Sequence, residues 1–64
     1  MKVNGKEIVL KNTQNISEFL QTNNYNINRI VVELNGKIVN KDKYGTINLK
    51  DTDVMEVLTF VGGG

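Results

Sequence analysis

Three consecutive glycines, Gly62, Gly63 and Gly64, follow directly on an apolar run from Val54 to Val61. Little else in the chain can do chemistry. It contains no His and no Cys, so the usual general base and the best side-chain nucleophile are both missing. Asp51 and Asp53 form a pair of carboxylates, but they lack the further oxygen ligands of a calcium loop. They read as a turn in which Asp side chains bond local backbone N–H groups, and no metal site is expected. Thr13 and Ser17 read as helix-capping residues rather than nucleophiles.

The group that remains is the α-carboxylate of Gly64, which is ionised at neutral pH. Held in an activating enzyme, it can attack the α-phosphate of ATP to give an acyl-adenylate. A sulfur nucleophile can then convert that mixed anhydride to a thiocarboxylate. The sulfur is carried on the main chain, so no cysteine is required. Glycines suit this use because a tail without side chains enters a narrow site and lets another backbone come close. The organisation expected is one domain over residues 1–61 and a flexible tail over 62–64, reaching at most roughly 10 Å. The competing reading of the glycines is an inert tail or a linker remnant.

The elements that must hold this tail are legible in outline. Met1 to Val3 reads as a short strand, Asn4-Gly5 as a hairpin turn, and Lys6 to Leu10 as the returning strand. Thr13 or Asn15 can cap a helix in which Ile16, Phe19 and Leu20 share one face. That helix ends near Thr22, before Asn23-Asn24. Tyr25 and Ile27 are expected to fold back on the core from a loop. Arg29 to Leu34, Asn35-Gly36 and Lys37 to Val39 form a second hairpin. Asn40 to Tyr44 reads as a helical turn pinned by Tyr44, Gly45 to Leu49 as extended, and Lys50 to Asp53 as a turn. Val54 to Val61 is the last and most apolar strand, which argues for a central position. Pairing it in parallel with the first strand places the helix in the crossover. The fold class expected is α+β: a mixed sheet of four to five strands packed on one short helix, a β-grasp arrangement.

Period two divides the last strand into Val54, Glu56, Leu58, Phe60 and Met55, Val57, Thr59, Val61. The helix covers one face of the sheet, so the other meets water, and Glu56 belongs on the watery side. Met55 and Val57 then point to the helix, while Leu58 and Phe60 lie exposed beside the tail, as a partner-docking patch would. The competing reading has Phe60 folded over a sheet edge or under a loop.

Composition narrows the class further. With 64 residues and no Cys, the domain has no disulfide and must stand on a small core or a partner. Its net charge is +1. Lys37, Lys41 and Lys43 are relieved by Asp42 and lack an aromatic platform, so they read as a solvated face and no nucleic-acid partner is expected. No apolar run approaches a membrane span, and Met1 to Lys11 lacks the apolar stretch of a secretion signal. A cytoplasmic location is the expectation.

Together these residues resemble the ThiS family, the ubiquitin-like β-grasp sulfur carriers of bacterial thiamin biosynthesis. The resemblance runs the whole length. It rests on the hairpin at Asn4-Gly5, the helix Ile16 to Gln21, and Val31-Val32-Glu33-Leu34-Asn35 followed by Ile38-Val39. It rests also on Asp51 to Val61 running into the glycines. The family's terminal Gly-Gly maps to Gly63-Gly64, and Asn40-Lys41 stands where members often carry Pro-Arg. The resemblance implies a carrier that is a co-substrate rather than an enzyme. A ubiquitin-activating-type adenylyltransferase would adenylylate Gly64 with ATP and Mg, neither of which the carrier itself binds. A cysteine desulfurase, directly or through a sulfur relay, would supply sulfur. The thiocarboxylate would then serve thiazole synthase. A carrier for molybdopterin or cysteine synthesis, and an interaction module without tail chemistry, are the alternatives.

Overall fold

Two Asn–Gly turns frame the sheet. In the computed structural model, which describes residues 1–60, Asn4 and Asn35 both sit at φ 52, and Gly5 and Gly36 follow at φ 83 and 84. Two successive positive φ values make a type I′ turn, whose twist matches that of the flanking strands. The first turn joins β1 (Lys2–Val3) to β2 (Lys6–Glu7), and the second joins β3 (Ile30–Leu34) to β4 (Lys37–Val39). The last strand, β5 (Val54–Thr59), lies at the centre of a sheet ordered β2-β1-β5-β3-β4. It runs parallel to β1, with Lys2 opposite Val54, and antiparallel to β3, with Val32 opposite Val57. This mixed five-stranded sheet on one helix is the expected β-grasp fold.

The helix, α1 (Ile16–Thr22), lies within the β1-to-β5 crossover. Asn15 caps it, not Thr13. The Glu18 N–H donates to Asn15 Oδ1 at 2.7 Å, and the Asn15 N–H donates to Glu18 Oε1 at 2.9 Å, a reciprocal capping box. Two more first-turn donors find carbonyls in the segment that follows Tyr44: Ile16 N–H to Ile47 O and Ser17 N–H to Tyr44 O. At the other end Asn24 adopts φ 63. Its N–H donates to Gln21 O, and that of Tyr25 donates to Leu20 O, which closes the helix in a Schellman motif.

The apolar face of α1, comprising Ile16, Phe19 and Leu20, joins Val3, Val32, Met55 and Val57 in one buried cluster. Each such side chain contributes about 1.5–3 kcal/mol on burial. Tyr44 is buried at the end of a 3-10 turn over Lys41–Lys43, and Tyr25 and Ile27 pack half-buried against the cluster.

Two strands are shorter than the sequence suggests. Strand β2 ends at Glu7 rather than Leu10, because the chain turns off the sheet edge to pack Ile8 and Leu10 against the core. Ile8 exchanges hydrogen bonds with Met1, the last contact of this hairpin. Beyond that point the chain leaves the sheet edge with Ile8 and Leu10 half-buried and Val9 83% exposed. The 45–49 stretch is mostly turn and loop, holding one antiparallel bridge between Asn48 and Asn15. At the other end β5 stops at Thr59, which faces Ile30, the first residue of β3. The expected strand residue Val61 and the expected tail residues Gly62, Gly63 and Gly64 lie outside the described residues.

Candidate functional site

The candidate docking residues Leu58 and Phe60 lie on and just beyond β5, on its outer face. Strand register fixes which side chains share it. On β5 the inward residues Met55 and Val57 are buried. The alternate residues Leu58 and Phe60 are each 55% exposed and Val54 is exposed as well, with Glu56 half-buried between them. Phe60 is therefore not folded beneath a loop. Its N–H still donates to Arg29 O at 2.8 Å, which prolongs the β3–β5 ladder by one bond.

Neighbouring strands complete the face. Val31 lies opposite Leu58, and Glu33 lies opposite Glu56. On the far side of Glu33, β4 places Ile38, which is 71% exposed. On the other side of β5, Lys2 faces Val54 and Glu7 faces Lys2. The result is an apolar area of Val31, Leu58, Phe60 and Ile38 bordering two adjacent carboxylates. Near the end of β5, the Lys41 Nζ donates to Asn28 Oδ1 at 3.1 Å, next in the chain to Arg29, whose carbonyl accepts the Phe60 N–H.

Two residues read only as turn formers do more. Asn4 Oδ1 accepts the Val57 N–H at 2.8 Å, while the Asn4 N–H donates to Met55 O at 2.9 Å. In this way one side chain extends the β1–β5 ladder past the end of β1. Asn35 does the same work from the other hairpin. Its Oδ1 accepts the Val54 N–H at 2.9 Å, its N–H donates to Val54 O at 2.7 Å, and its Nδ2 donates to Asp53 Oδ1 at 3.0 Å. Asparagine can make both contacts because its amide carries a donor and an acceptor and it tolerates positive φ. The choice of Asn over Asp or Gly before each glycine was the signal available in the sequence.

Of the paired aspartates, Asp51 is exposed and Asp53 is buried. Asp53 Oδ2 accepts the Lys50 N–H at 2.9 Å, the local bond expected of this turn. Among the described residues no group of three or more His, Cys, Asp or Glu could hold a metal, and no helix is long and apolar enough to cross a membrane. Two depressions, one beside Leu49 and one beside Phe19, share Leu10 to Asn12 and no residue of the outer face.

Comparison with known proteins agrees with this geometry. The model of the ThiS family matches residues 1–64. The chain is 35% identical over 65 residues to the sulfur carrier protein ThiS of Bacillus subtilis (strain 168), covering 100% of this chain and 98% of that protein. Its fold is similar to the crystal structure of a thiamine biosynthesis protein (ThiS) from Geobacter metallireducens. There the TM-score is 0.83 and the identity 32%, over 98% of this chain and 96% of the other. A solution structure of a thiamine biosynthesis protein from the same organism gives a TM-score of 0.79 and 30% identity, over 98% and 85% of the two chains.

Proposed function

The chain belongs to the ThiS family, and on that premise we propose that it is a sulfur carrier of thiamin biosynthesis whose reacting group is the Gly64 carboxylate. A ubiquitin-activating-type adenylyltransferase seats the domain by Leu58 and Phe60 and draws Gly62 and Gly63 into its active site. The carboxylate oxygen attacks the α-phosphate of Mg-ATP, and pyrophosphate leaves. The terminal sulfur of a persulfide, supplied by a cysteine desulfurase or a relay, then attacks the carbonyl carbon and displaces AMP. A second thiol attacks the bridging sulfur–sulfur bond, is oxidised to a disulfide with the donor, and releases the thiocarboxylate. That product carries sulfur to thiazole synthase. The carrier is a protein co-substrate in every step, and ATP and Mg belong to the partner.

The observation that supports this most is the full-length match to sulfur carriers by a chain in which no His or Cys is present. Side-chain chemistry has little to work with, and the terminal carboxylate needs none. The test is ATP–pyrophosphate exchange with the partner adenylyltransferase. Exchange dependent on the intact chain, and lost when residues are added beyond Gly64, is the expected outcome. Equal exchange by the extended chain refutes the proposal.

A further inference from the structure

Glu33 and Glu56 stand directly opposite each other on β3 and β5. In such a pair the Cβ atoms are about 4.5–5.5 Å apart, and like charges there are unfavourable. Both residues are half-buried, with Ile38 opposite Glu33 on β4 and the Val31–Leu58 pair two residues along the strands on the same face. Among the described residues, the side-chain hydrogen bonds of the carboxylates are made by Glu18 and Asp53, and neither Glu33 nor Glu56 takes part in one. Water solvates the pair in the free protein. A partner that covers Leu58 and Phe60 on the same face strips that water away. Two adjacent carboxylates without water or a counter-charge cost far more than the apolar contacts return.

We propose that the adenylyltransferase brings an arginine or lysine side chain, set in an apolar surface, between Glu33 and Glu56. This rests on the sulfur-carrier reading, which supplies the partner, and adds the chemistry of the contact. The apolar residues give the seat, and the acidic pair selects which surface may sit on it. Neither carboxylate has a side-chain hydrogen bond among the described residues, and the complex supplies one. Arginine fits best, because its planar fork can donate to both carboxylates at once.

The test compares the full chain with the double variant Glu33→Gln, Glu56→Gln, and with Asp51→Asn as a control in an exposed turn. Binding to the adenylyltransferase is measured by titration at low and high salt, alongside thermal melts. Binding by the double variant is expected to weaken by on the order of 10-fold at low salt, with a shallower salt dependence, while the control binds as the native chain does. Its Tm is expected to rise by about 1–5 °C as the repulsion is removed, an effect opposite in sign to that of a lost structural contact. Unchanged affinity and salt slope in a variant that is still loaded with sulfur overturn the contact and leave the carrier function standing. A fall in Tm overturns the claim that the pair is unrelieved in the free domain. Self-association of the native chain that the double variant loses shows that a second copy covers the face, and also overturns it. Failure of the native chain to bind the adenylyltransferase removes this proposal together with the function it rests on.

Discussion

Asn35 offers the sharpest test of how the domain holds its last strand. Replacing it by glycine keeps the turn, because glycine accepts φ 52 without strain, and removes only the side-chain bonds. The bond to Val54 N–H is exposed, so water replaces it at about 0.5 kcal/mol. The bond to Asp53 joins a carboxylate that is only 5% exposed, and a hydrogen bond to a charged group contributes about 1.5–3 kcal/mol. Asn35→Gly should therefore cost about 2–3.5 kcal/mol by these two contributions. Asn35→Ala loses the same bonds and also forces a Cβ into the left-handed region, adding about 1–2 kcal/mol. Asn35→Asp keeps the acceptor for Val54 but sets a second carboxylate against Asp53. It should be less stable than the native chain, because the bond to Asp53 is replaced by a contact between like charges. Urea titrations read this series as a falling midpoint at constant slope. Asn35→Gly as stable as the native chain would refute the claim that the side chain fastens β5. Equal stability of the glycine and alanine variants would refute the cost assigned to the backbone.

Val57→Ala should destabilise by about 1–3 kcal/mol through lost burial and a cavity, which thermal melts will show as a lower Tm. Phe60→Ala should leave the melt nearly unchanged and weaken adenylyltransferase binding by about 1–2 kcal/mol in a titration; an unfolded Phe60 variant would contradict its exposed position. Asn15→Ala breaks the capping box and should cost about 1 kcal/mol by denaturant titration, whereas Thr13→Ala should cost almost nothing.

Local signals carried much of this architecture. The two Asn–Gly pairs mark both hairpins because few residues other than Asn and Gly accept successive positive φ. Glu56 alone orients β5, since a carboxylate turned toward the helix would be buried without a partner. What stayed hidden depends on partners distant in the chain. Alternation in Lys6 to Leu10 resembles a strand throughout, yet Ile8 and Leu10 turn onto the core, a destination set by residues far along the chain. Asp51 and Asp53 look alike within their turn; the buried one, Asp53, is the one that meets Asn35, 18 residues away. The Glu33–Glu56 pair exists only through the register of β3 on β5, which no single segment specifies.

The central claim is that Gly64 carries sulfur as a thiocarboxylate. The direct measurement is mass spectrometry of the intact chain and its C-terminal fragment after incubation with the adenylyltransferase, Mg-ATP, a cysteine desulfurase, cysteine and a thiol reductant. The account predicts replacement of one oxygen by sulfur, localised to Gly64, and its loss when thiazole synthase and its substrates are added. An unchanged C-terminus, under conditions where the same enzymes load the sulfur carrier of Bacillus subtilis, would contradict it.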